Sequence, residues 1–140
     1  MNKIAEEEHK QLANWAADCA EHVLLFFEEI NPQNGRPRKA IAAARAWIHD
    51  EIKMSEARSF AFAAHAAARE ANSPASKAAA RAAGHAAATV HAASHARYAA
   101  SYALKASGDA ATERAWQWQR LPTHLQALMQ SEAGKKMSYK

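Results

Sequence analysis

Alanine accounts for 39 of the 140 residues, and no other feature restricts the possible folds so strongly. Alanine has the highest helix propensity, loses no side-chain entropy on ordering and presents only a methyl group. A chain rich in it forms helices readily, but each helix buries little apolar area. Stability must then come from helix axes that approach closely. Only four glycines and four prolines interrupt the sequence, which favours long helices and short turns. The expected fold class is all-α, a single antiparallel bundle of five to six helices with a long central alanine-rich helix. One domain is expected over residues 1–130, with residues 131–140 a polar, basic and frayed tail.

Punctuation and periodicity place the helices. Leu12, Trp15, Cys19, Val23, Phe26 and Ile30 recur at steps of three and four, the mark of an amphipathic helix from about Ile4 to Ile30. Asn31-Pro32-Gln33-Asn34-Gly35 ends it. A second helix begins near Pro37, with Arg38, Ile41, Arg45, Ile48 and Ile52 on one stripe. A third runs from a cap near Ser55 to about Ala71. Ser73-Pro74 opens the longest, expected to continue to about Ser107, where Ser107-Gly108-Asp109 supplies a stop and a new cap. Shorter helices over 110–120 and 122–130 complete the set.

The net charge is +4 and unevenly distributed. Residues 1–31 carry seven acids and two bases, and residues 32–140 carry seven acids and sixteen bases. An acidic first helix docked against basic later helices accounts for this asymmetry. Nucleic-acid binding fits less well, because the arginines are spaced singly and are not interleaved with aromatics along the chain. The one cysteine, Cys19, allows neither an internal disulfide nor a Cys-based zinc knuckle. The first residues are acidic and lack an apolar signal core, and no uncharged apolar run approaches a membrane span, so a cytoplasmic protein is expected.

Histidine is the residue type most able to carry chemistry. Six of the eight histidines lie between His49 and His124. His91 and His95 are four apart, a spacing that puts two imidazoles on one helix face and can chelate a metal. Tyr98 and Tyr102 continue that stripe, and His65 and Arg69 repeat the spacing one helix earlier. A divalent metal on His91 and His95, completed by His65 or else by Asp18 or Glu21, is one reading. The others are a small-molecule or protein-contact site, and a set of polar residues in a close-packed interior that bond to one another. Asp18 and Glu21 lie beside the apolar stripe of the first helix, with Arg38 and Arg45 on that of the second. Buried charges require partners, and the expected network joins Asp18 to Arg38. No nucleophile constellation and no glycine-rich phosphate loop is present, and Cys19 sits on an apolar face where packing is the usual role. Trp116 and Trp118, two apart, cannot face the same way, which leaves one of them to a partner; a homodimer is compatible with this.

Several segments together carry a family resemblance. They are Trp15-Ala16-Ala17-Asp18-Cys19-Ala20-Glu21, Arg36-Pro37-Arg38-Lys39-Ala40-Ile41 and Ala44-Arg45-Ala46-Trp47, followed by Ala64-His65-Ala66-Ala67-Ala68-Arg69. Ala82-Ala83-Gly84-His85, His91-Ala92-Ala93-Ser94-His95-Ala96, Tyr102-Ala103-Leu104-Lys105-Ala106 and Trp116-Gln117 complete the series. In order and spacing the set resembles the immunity-five-like family of bacterial immunity proteins, small alanine-rich helical proteins of polymorphic toxin systems, over about residues 12–125. The resemblance implies a protein that binds and neutralises a cognate protein toxin, with no catalytic step and no cofactor. Asp18, Arg38, His65, Arg69, His85, His91 and His95 are the polar residues inside the matching segments, and they form the candidate ligand- or partner-binding set. They exceed what a complementary surface alone requires. A helical protein with an internal His/Arg-lined small-molecule or metal site, an enzyme included, is therefore the alternative.

Overall fold

The structure, a computed structural model, describes residues 5–130. The expected C-terminal tail lies outside the described residues. Eight helices and no strand occur among them: α1 (Glu6–Val23), α2 (Leu25–Glu28), α3 (Arg36–Ile48), α4 (Met54–Glu70), α5 (Pro74–Ala88), α6 (His95–Ser107), α7 (Ala110–Arg120) and α8 (Thr123–Gln130). No helix among them is long and apolar enough to cross a membrane.

Helix α5 occupies the centre, packed against α1, α2, α3, α4 and α6. Ten of its fifteen residues are buried, eight of them alanines. It starts where the sequence indicates, with the Ser73 hydroxyl accepting the Ser76 amide at 3.1 Å and Pro74 in the first turn. Alanine faces are matched by alanine faces: α4 buries Ala57, Ala61, Ala64, Ala67 and Ala68, and α6 buries Ala96, Ala99, Ala100, Ala103 and Ala106. The larger core side chains come from the first helices and the C-terminal segment, with Leu12, Val23, Phe27 and Leu125 fully enclosed. Trp15 ties the two together, its indole N–H donating to the Gln117 carbonyl at 2.8 Å.

Three expectations are corrected. The expected long helix from Pro74 to Ser107 is two helices, α5 and α6, folded onto each other. No proline or glycine marks the break. Instead the carbonyls that a helix end abandons find other donors: the Thr89 hydroxyl donates to the His85 carbonyl at 2.9 Å, and His9 Nε2 of α1 donates to the Thr89 carbonyl at 2.6 Å. Successive three-residue turns at Val90 and His91 then lead the chain out. The expected first helix divides at Leu24, whose amide bonds to Glu21 three residues back, so α2 continues α1 after a tightened turn. Helix α4 begins earlier than Ser55, with the Glu56 carboxylate reaching back to the Lys53 amide at 3.3 Å. At Gly108 the backbone adopts φ +76, the left-handed stop that glycine allows, and Asp109 caps α7 through the Thr112 amide.

Candidate functional site

The histidines lie where the central helix reaches the surface. On α5 the accessible positions are Pro74, Ala75, Lys77, Arg81 and His85, and Lys77, Arg81 and His85 recur at four-residue steps, one stripe of the helix. On α4, Arg58, Phe62, His65 and Arg69 follow the same logic at steps of four, three and four, on the flank that meets α5. On α6, His95, Tyr98, Tyr102 and Lys105 do so on the other side. The result is a shallow furrow with α5 as its floor and α4 and α6 as its walls.

Inside it the polar groups meet one another. Arg81 Nη1 donates to His65 Nδ1 at 2.9 Å, which leaves the proton of the neutral His65 ring on Nε2. The His65 and His85 rings meet edge to face at 4.8 Å. His85 Nδ1 and His95 Nδ1 are 2.9 Å apart, so one donates and the other accepts. His85 is also stacked on Tyr102 and in edge contact with Tyr98, while His91 adjoins His95 at 5.5 Å. His91 Nδ1 is buried with no hydrogen-bond partner. Burial, the Arg81 guanidinium and the neighbouring rings all disfavour a proton, holding His65 down to about 4 and His85 down to about 3. His91 and His95 are lowered as well, mainly by burial. The cluster is therefore neutral at pH 7. Among the described residues no three His, Cys, Asp or Glu side chains are arranged to hold a metal ion together.

Arg69 lies on the exposed outer part of the α4 wall. Asp18 and Arg38 belong to another region, and the expected link between them does not form. Asp18 pairs with Arg45 Nη2 at 3.0 Å, and the same guanidinium reaches Glu21 at 2.6 Å and Asn14 at 3.0 Å. Arg38 pairs with Glu28 of α2 at 2.6 Å. The reason is register. Arg38 and Arg45 share a face of α3 but stand two turns apart, about 10 Å along the axis. The α3 helix runs antiparallel to α1, which sets Arg45 opposite Asp18, Arg38 opposite Glu28 and Lys10 opposite Asp50. These pairs join the acidic first helices to the basic third, as the charge asymmetry suggests.

A family model described as "Imm-5 like putative immunity protein" matches residues 2–124. The chain belongs to this Imm-5-like family. The matched span takes in both walls and the floor of the furrow, the Asp18–Arg45 group, and α7. No curated protein and no solved structure matches the chain.

In this Imm-5-like protein two features of the furrow escape a reading of the sequence. Arg81 is fixed by the Lys77-Arg81-His85 spacing, a signal hidden because flanking alanines offer no contrast. Gly84 is the other: a Cβ there would lie 2.6–2.8 Å from three atoms of the His65 ring. On α7, Trp116 lies flat on His22 at 3.6 Å, and His22 Nδ1 meets the buried Glu113 carboxylate at 2.7 Å. Trp118 is the more exposed of the two indoles. A cleft of ≈ 680 Å³ opens elsewhere, between α1, the end of α3 and the Arg120–Pro122 segment, with Trp15 and Ile48 among its walls.

Proposed function

We propose that the protein protects its host by binding a cognate bacterial protein toxin, without a catalytic step of its own. Membership of the immunity family across residues 2–124 carries this reading. The state of the histidines supports it. His65, His85 and His95 each engage their Nδ1 with one another or with Arg81, so those nitrogens do not converge on a shared ligand. An internal metal or small-molecule site would instead present nitrogens converging on a space, and the cleft beside Trp15 and Ile48 is lined by other residues. A rigid alanine-packed scaffold suits a binding role, because a preorganised surface loses little entropy on association.

The test is protection. The products of the genes adjoining this one are each induced in a sensitive host with and without the protein, and one that kills only in its absence is the cognate toxin. Survival restored by co-expression, together with a stable complex of the purified pair, is the expected outcome. Undiminished killing at matched protein levels sinks the proposal.

A further inference from the structure

We infer that the furrow over α4, α5 and α6 is the surface that takes the toxin, and that the toxin presents a carboxylate-rich patch to it. This rests on the immunity reading above.

The first ground is charge. Residues 71–108 contain no aspartate or glutamate, and they bring Lys77, Arg81 and Lys105 to this side, while Arg97 turns away to the Met129 carbonyl. The α4 wall adds Arg58 and Arg69. That wall's two acids are directed elsewhere, Glu56 to the Lys53 amide and Glu70 to Arg36 of α3 at 2.6 Å. Among the described residues no carboxylate forms an ion pair with Arg58, Arg69, Lys77 or Arg81. The contrast with the opposite side is sharp, since Arg38 and Arg45 are both committed to acids of α1 and α2.

The second ground is register. His65 meets Arg81 and His85, while Arg58 lies near enough to His91 to disfavour its proton. So α4 and α5 run antiparallel, and the stripes bring Arg69 toward the Lys77–Arg81 end of the floor. Arg69, Lys77 and Arg81 thus share one end of the furrow. Neutral histidines from all three helices occupy the rest of it, adding hydrogen-bonding capacity without charge.

The third ground is the form of the aromatic groups. Phe62 is 66% exposed on the α4 wall, the most exposed large apolar side chain described. It offers an anchor beside the cations, the pairing of aromatic and arginine common at interface centres. The tyrosines do not form an open stacking platform: His85 lies flat against Tyr102, and the Lys105 ammonium stands 4.7 Å from the centre of the same ring. A single-stranded nucleic acid needs free aromatic faces for its bases. Carboxylates on a protein need only the guanidinium and ammonium groups, which they match in geometry and charge.

The experiment measures binding of the neighbouring-gene toxin to the wild type, to the double variant Arg69→Glu, Lys77→Glu, to Phe62→Ala, and to a control reversal on α7, Arg114→Glu. Circular dichroism and thermal melts check that each is folded. The double reversal and Phe62→Ala are each expected to weaken binding at least about tenfold. The reversal acts chiefly on a salt-sensitive association rate, and Arg114→Glu leaves binding unchanged. Wild-type binding that the furrow variants leave intact overturns this inference and spares the immunity reading. Absence of wild-type binding overturns both. Tight binding of a single-stranded oligonucleotide abolished by the same reversals, with toxin binding unaffected, overturns it in favour of a nucleic-acid site.

Discussion

The ring of His65 rests directly on Gly84, so closely that a Cβ on that residue would lie 2.6 Å from Cε1. A glycine in the middle of an alanine helix costs about 1 kcal/mol in propensity, and here it gives an imidazole room between α4 and α5. Gly84→Ala should therefore destabilise the wild type by about 1–3 kcal/mol, as overpacked cores do. In a His65→Ala background the sign should reverse, with Gly84→Ala stabilising by up to about 1 kcal/mol. Urea denaturation of the four proteins of this double-mutant cycle measures the coupling. Additive effects would contradict the contact.

Neutral histidines make stability depend on pH. The folded-state values of His65 and His85, about 4 and about 3, lie below the ordinary value of 6.5. The unfolded chain therefore binds more protons between those limits, and stability falls as pH falls. The contribution is complete above pH 6.5 and lost progressively toward pH 3. Between pH 6.5 and 5 carboxylates contribute little, so the histidines dominate there. The denaturation midpoint should drop across that interval, and the double variant His65→Asn, His85→Asn should flatten the drop. An equal slope in both proteins would show that the cluster is not held neutral.

The register of α1 against α3 separates two arginines that share a helix face. Arg45 is 31% exposed and holds Asp18, Glu21 and Asn14 together, whereas Arg38 is 62% exposed and holds Glu28 alone. Arg45→Ala should cost about 1–3 kcal/mol, because it strips the mostly buried Asp18 carboxylate of its nearer partner and leaves only Arg120 at 3.7 Å. Arg38→Ala should cost less than about 1 kcal/mol, as exposed pairs do. Thermal melts of the two variants rank them, and the opposite ranking would mean that the register is wrong.

Cys19 is fully enclosed, and burial raises its thiol well above the usual range, with Asp18 and Glu113 adding to the shift. In the native protein it should react with a thiol reagent only as fast as the fold opens, and at once in denaturant. Rapid native labelling would place it at the surface.

Helical class, most helix starts and the histidine-bearing faces were legible in the sequence, because caps, prolines and residue steps record them. Ser73-Pro74 and Ser107-Gly108-Asp109 act as their chemistry dictates. The break between α5 and α6 was not legible, since it depends on a hydrogen bond from His9, eighty residues away, to the Thr89 carbonyl. Partner choice was equally hidden. A stripe gives the angle around a helix but not the axial offset between two helices, so the pattern pairs Asp18 with Arg38 where the fold pairs it with Arg45. Alanine compounds this, as identical methyl groups on every side carry no register of their own.

Hydrogen exchange on the protein alone and bound to the neighbouring-gene toxin tests the central claim most directly. Slowed exchange confined to α4 around Phe62–Arg69, the start of α5 around Lys77 and the exposed side of α6 is the predicted result. Protection centred on the cleft between α1, α3 and Arg120, or no protection anywhere, would contradict it.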